Sequence, residues 1–189
     1  MFAVVIVTAL SCAILLGTFG VGAVGLHVPD YRRSEWRHWI TVEGCVNVRH
    51  FVLRRDSLVP ATMSENGCQV VEGEWVGPYT GISGSNPRDF DIDHRVPLGN
   101  AHVSGGWAWS REEKRAYAND LEDPEHLVVT TSRANRAKGA RGPEAWQPPD
   151  VENHCEYATT WMAVKRRWNL TMTVTEVDAL AVMYQACSQ

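Results

Sequence analysis

The chain has 189 residues, 44% of them hydrophobic and 21% charged. That balance fits one globular domain with a real core and excludes a disordered or collagen-like chain. The formal net charge is −4 and the isoelectric point is near 6.0. A uniformly basic polyanion binder is thereby excluded, so any basic footprint must be local.

In chain order, the first feature is an uncharged apolar run over residues 2–26. It is long enough to span a bilayer, which takes about 20 apolar residues. It closes on Ala23-Val24-Gly25, small residues of the kind found at a cleavage site. Residues 1–26 are expected to form a signal peptide or a membrane anchor, with the domain 27–189 secreted or held outside the membrane. Arg32 and Arg33 follow the run and no basic residue precedes it, which by the positive-inside rule counts against an outside domain. Of five cysteines, Cys12 lies in this run; the other four, at 45, 68, 155 and 187, contain no C-x-x-C pair. Four cysteines allow three pairings. The expected ones are Cys45–Cys68 and Cys155–Cys187, each closing its own local loop in an oxidising compartment.

Residues 27–44 read as an entry segment with an apolar face (Trp36, Trp39, Ile40) and a turn at Glu43-Gly44. A short helix is expected over 46–57, with Val48, Val52 and Leu53 on one side. Residues 68–76 read as a strand, and 77–88 carry Gly/Pro breakers before a second extended piece. Phe90-Asp91-Ile92-Asp93-His94 alternates apolar and polar side chains, which is strand periodicity, and Pro97 ends it. Ser110 followed by Glu113 predicts a capping box for a helix over 110–121. Residues 126–130 read as a strand, 132–138 as a helix stopped by Gly139. Residues 151–168 and 174–186 read as a C-terminal helical hairpin.

The chemistry concentrates in two stretches. Asp91 and Asp93 share one strand face and His94 points the other way. A carboxylate beside an imidazole suits metal-assisted hydrolysis, since one holds a cation and the other, with an ordinary pKa near 6.5, takes a proton from water. The second stretch is Asn135-Arg136-Ala137-Lys138-Gly139. Between 128 and 142 there are four basic residues and no acidic one, a local basic footprint for phosphate. His102 is read as exposed in a polar loop, Asn119 as a helix-end cap, and Lys165-Arg166-Arg167 as a solvated helix face. Trp107 and Trp109 are read mainly as core, with base stacking as the alternative.

The order Asp91-Ile92-Asp93-His94-x-Val96-Pro97, then His126-Leu127-Val128-Val129, then Asn135-Arg136-x-Lys138-Gly139, resembles the HNH nucleases. Within them it looks closest to the branch containing the C-terminal domain of GmrSD-type restriction enzymes and secreted actinobacterial and phage-borne proteins. The resemblance implies an α+β fold with a ββα-metal (His-Me finger) core over 89–149, flanking helices and the C-terminal hairpin, stabilised by disulfides. It implies a metal-dependent endonuclease acting on nucleic acid, DNA first of all, as a monomer. Asp93 and Asn135 would hold one Mg²⁺ or Mn²⁺, His94 would be the general base, and Arg136 and Lys138 would face phosphate. Asp91 would support the site by orienting a water or His94. His126 stands where the family's middle Asn normally braces the base-carrying loop, so it is read as a supporting residue. The alternative is an inactive HNH-like module, extracellular or membrane-anchored, that binds nucleic acid without cutting it. For the active reading, His94→Ala is expected to abolish cleavage with the melting temperature nearly unchanged.

Overall fold

Alternation of apolar side chains over residues 90–94 and 127–131 builds the centre of the molecule. In the computed structural model, which describes residues 27–188, these stretches are β7 (Phe90–His94) and β8 (Leu127–Thr131), paired antiparallel in register from Phe90↔Thr131 to His94↔Leu127. Directly opposed residues share a sheet face. Phe90, Ile92, Leu127 and Val129 therefore meet on one face, where they join Val48, Val52, Leu53, Val70 and Trp75 in a buried cluster. Asp91, Asp93, Val128 and Thr130 occupy the other face.

The elements before the central pair are short. A hairpin of β1 (Thr41–Glu43) and β2 (Val46–Asn47) turns at Gly44, whose φ of +55° only glycine adopts without strain. It leads into α1 (Val48–Arg55), capped by the Asn47 side chain and burying Val48, Val52 and Leu53. Each such side chain contributes roughly 1.5–3 kcal/mol when fully buried. β3 (Thr62–Met63) pairs with β4 (Val70–Glu72), and β5 (Trp75–Val76) with β6 (Ser83–Gly84). The single strand expected over 68–76 is thus two strands with different partners. It breaks at Gly73, where a Cβ would stand 2.7 Å from Ser57 Oγ and from the Trp75 ring.

After β7 come α2 (Leu98–Val103), α3 (Arg111–Ala118), β8, α4 (Ser132–Lys138), α5 (His154–Arg167) and α6 (Val174–Tyr184). The Ser110/Glu113 capping box forms at the start of α3. Gly139 ends α4 with φ +57°. α4 lies on the Asp91/Asp93 face of the central pair, so the core is strand, strand, helix, in that order along the chain. A second buried cluster, centred on Trp36, Tyr117, Tyr157 and Trp161, fills the space between α2, α3, α5 and α6. Both expected disulfides are present: Cys45–Cys68 ties the β1–β2 turn to the start of the β4 segment, and Cys155–Cys187 closes the open end of the α5–α6 hairpin.

The signal peptide or anchor expected in residues 1–26 lies outside the described residues. Among the described residues no helix is long and apolar enough to cross a membrane.

Candidate active site

Two spacings bring the site together. Asp91 and Asp93 lie about 6.8 Å apart along an extended strand, and Asn135 and Lys138 lie about 4.5 Å apart along one helix face. Laying α4 on β7 therefore matches them pairwise. Asn135 Nδ2 donates to Asp91 Oδ2 at 3.1 Å, and Lys138 Nζ donates to Asp93 Oδ2 at 2.7 Å. Lys138 also donates to the carbonyl oxygen of His94 at 2.8 Å. Tyr79, fully buried, donates its hydroxyl to the same Asp93 Oδ2 at 2.7 Å. Burial, and then the charge of Asp93, hold the Tyr79 phenol well above its ordinary range, so it remains a donor. One oxygen of Asp93 is thus fixed by two donors, and Oδ1 is the oxygen left for other work.

Lys138 departs from the expectation that it faces nucleic acid. Its side chain has no exposure at all, because the helix spacing that places Asn135 beside Asp91 drives Lys138 under Asp93. Burial lowers its pKa and the Asp93 carboxylate opposes that shift. Arg136, on the outer face of α4, is exposed. Asp91 bonds Asn135 rather than His94.

His94 stands at the end of β7, on the face opposite Asp93, and is 6% exposed. Its ring lies between Trp39 (centroids 5.5 Å apart, 19° between planes) and Tyr117 (6.2 Å, 7°). Nε2 lies 3.0 Å from the carbonyl oxygen of Ala118. A carbonyl only accepts, so Nε2 carries the hydrogen and Nδ1 keeps the lone pair. Burial first, then the neighbouring His126, hold the His94 pKa well below the ordinary value, so the ring is neutral. His94, Asp93 and Asn135 share one cavity of about 290 Å³, also walled by Tyr31, Arg33 and Gly139. Sequence reading missed Tyr79, Tyr31, Arg33 and Trp39. Each comes from a segment without regular periodicity, and nothing local marks it as facing a site.

His126 is fully buried, donates from Nε2 to the Tyr117 carbonyl oxygen at 2.8 Å, and sets its ring edge-on to both Tyr117 and His94. It braces the floor beneath the imidazole of His94. Burial lowers its pKa to about 4, against the pull of Asp120 and Asp123 and with a smaller push from Arg167. Between that value and the unfolded value near 6.5 the unfolded chain binds more protons. Stability is therefore lost as pH falls from about 7 to about 4, by roughly 3 kcal/mol from this residue. Thermal melts across that range are expected to show a flatter pH dependence in His126→Gln than in the wild type. Equal slopes would mean that the ring is not held neutral by its surroundings.

Other residues settle structurally. His102, expected to be exposed, is buried against Trp36 and Tyr31 and lies 2.7 Å from the Pro29 carbonyl oxygen through Nε2, because α2 turns it inward. Asn119 is the C-cap of α3, and its amide also bonds the backbone of Arg37 and Ile40. Trp109 packs on Trp36, Tyr117 and Trp168. Lys165 is buried in an ion pair with Glu176 at 3.0 Å, whereas Arg166 is exposed.

A two-stranded antiparallel sheet running straight into a helix, with a carboxylate, an imidazole and an amide gathered at one end, defines a disulfide-stabilised α+β protein with a ββα core. The sequence model of the family described as GmrSD restriction endonucleases, C-terminal domain, matches residues 65–183. The chain belongs to that family. An "Uncharacterized secreted protein" of Arthroderma benhamiae is 40% identical over 157 residues, covering 83% of this chain and 76% of its own length. No solved structure matches the chain. The family match includes β7, β8 and α4 but begins after Tyr31, Arg33 and Trp39, so one wall of the cavity comes from outside it.

Proposed function

We propose that the chain is a metal-dependent endonuclease of the HNH type that hydrolyses phosphodiester bonds in nucleic acid, DNA first of all. The observation that carries this reading is the shared cavity of Asp93, His94 and Asn135. Asp93 Oδ1 and the Asn135 carbonyl oxygen are the two donors for a cation. Both are hard oxygens, which suits Mg²⁺ or Mn²⁺. Among the described residues no three His, Cys, Asp or Glu side chains gather as a ready-made cage, so a cation held here would keep several waters and take up phosphate oxygen, as Mg²⁺ sites commonly do. When bound, such an ion polarises the scissile phosphate and stabilises the leaving oxygen.

The chain's own residues do the rest. Nδ1 of His94 takes a proton from the attacking water, while the Ala118 carbonyl holds the ring in the tautomer that makes Nδ1 the base. Tyr79 and Lys138 fix the aspartate. Arg136 steadies phosphate from the solvent side. By resemblance, the products carry a 5′-phosphate and a 3′-hydroxyl.

One observation favours the second reading, a module that binds nucleic acid without cutting it: the Lys138 ammonium already balances the charge of Asp93. Incubating purified protein with plasmid and Mg²⁺ or Mn²⁺, with and without chelator, separates the two. Chelator-sensitive nicking is expected, and intact plasmid in every metal would leave the binding module. Asp93→Asn keeps the shape and loses the charge. It is expected to raise the Mg²⁺ concentration for half-maximal cleavage by at least about tenfold. An unchanged Mg²⁺ titration would remove Asp93 from the ligand set.

A further inference from the structure

We infer that a second cavity, lined by arginines and meeting the active-site cavity along the segment 32–34, seats the nucleic-acid backbone that runs on from the scissile phosphate. The inference rests on the nuclease reading above and names where its substrate lies.

Three observations support it. First, the cavity is the larger of the two, about 500 Å³, and Arg32, Arg37, Arg111 and Arg115 converge on it from two unconnected stretches of chain. Arg111 and Arg115 are four residues apart on α3 and so share a helix face. All four are exposed. The acidic lining is Glu35 and Glu112. Glu35 is already bonded to Lys114 Nζ at 2.8 Å, which leaves a surplus of positive charge.

Second, the cavities share a wall. Arg33 lines the active-site cavity while its neighbours Arg32 and Ser34 line the arginine cavity. Consecutive Cα atoms are about 3.8 Å apart, and each strand of a duplex carries one phosphate per about 3.4 Å of axis. Neighbouring residues of one segment thus face the two cavities, so a strand with one phosphate beside His94 has the arginine cavity next to it.

Third, the wall is built firmly. Trp36 is fully buried, ringed by Trp109, Tyr117 and His102. Asn119, at the end of α3, accepts from the Ile40 N–H and donates to the Arg37 carbonyl. The 32–37 segment is thus locked to the helix that supplies the other two arginines. Guanidinium groups carried on a backbone held in this way suit recognition of phosphates without base reading.

The test measures binding apart from cutting. Anisotropy of a fluorescent 20-nucleotide single strand is titrated with protein in chelator, across a range of salt. Arg37→Ala/Arg115→Ala is expected to weaken binding about tenfold and to make the slope of log K against log[salt] shallower by about 1.4, the value for two lost phosphate contacts on a single strand. Arg32→Ala/Arg111→Ala is the second variant and is expected to behave alike. Arg88→Ala/Arg166→Ala removes the same charge elsewhere and is expected to leave both values within twofold of wild type. An equal loss in all three proteins would reduce the effect to net charge and overturn the inference, as would unchanged binding in both cavity variants. Plasmid cleavage in Mg²⁺ by the wild type is scored separately. Cleavage with no effect of the cavity arginines sinks this inference alone, whereas cavity-dependent binding without cleavage sinks the nuclease reading and leaves the arginine cavity as the binding surface of a module that does not cut.

Discussion

His94→Gln is expected to lower kcat for phosphodiester cleavage by roughly 10²–10⁴-fold, the usual contribution of a positioned general base, with KM little changed. Glutamine keeps much of the ring's volume and an N–H for the Ala118 carbonyl, but it offers no basic nitrogen in place of Nδ1. The alanine variant is a poorer probe than the sequence led us to expect. A ring 6% exposed and stacked between Trp39 and Tyr117 leaves a cavity when it is cut back. His94→Ala is therefore expected to lose on the order of 2 kcal/mol of stability in addition to activity. Single-turnover cleavage and thermal melts on both variants separate the roles. A glutamine variant that cuts at the wild-type rate would make His94 a structural residue.

The fold was legible where local chemistry and burial agree. β7 and β8 alternate because one face meets the α1 cluster, and that alternation is written in Phe90, Ile92, Leu127 and Val129. The Ser110 capping box and the stop at Gly139 are signals within a few residues; both formed, although the helix read over 110–121 ends at Ala118. The two-residue strands escaped because no periodicity exists over two residues. Where 68–76 splits, the Gly73 N–H donates to the Ser85 carbonyl and the Glu74 N–H to Ser57 Oγ, long-range contacts that no local pattern reports. α2 escaped for a similar reason: Leu98-Gly99-Asn100-Ala101-His102-Val103 has a poor helix composition, and it is its packing, with Leu98, Ala101 and His102 all turned inward, that sustains it.

The candidate site was legible as a set of residue types and only partly as an arrangement. The motif pointed to Asp93, His94 and Asn135, and all three line one cavity. It did not reveal the sides on which their neighbours act. Lys138 reads as a basic residue in a basic stretch until the helix is laid on the strand, and only then does its three-residue spacing from Asn135 put it beneath Asp93. Tyr79 lies 14 residues before the aspartate it holds, in a Gly/Pro-rich segment with no period to orient it. Arg32 and Arg33 follow an apolar run, where sequence reading weighs them as topology signals, and Arg37 carries no local signal at all; their place in the walls of two cavities depends on Trp36 anchoring the segment.

Lys138→Met provides the sharpest contrast between the arrangement seen and the role the family resemblance implies. Were the ammonium a solvent-facing phosphate contact, its loss would raise KM and leave the melting temperature alone. Because it is buried against Asp93, its loss strands a carboxylate in the interior with one donor fewer. Breaking a buried pair from one side costs about 3–5 kcal/mol. For a domain of this size that corresponds to a fall of roughly 6–20 °C in Tm. Neutralising the partner as well should return most of the loss, since Asn at 93 still accepts from Tyr79 and no charge is left unpaired. Lys138→Met/Asp93→Asn is thus expected to melt closer to wild type than Lys138→Met alone, and to share the raised Mg²⁺ requirement of Asp93→Asn. Calorimetry on the two single variants and the double closes the cycle. Additive losses would mean that the Lys138–Asp93 pair does not act as a unit, and a Lys138→Met protein with wild-type Tm would put the lysine back on the surface.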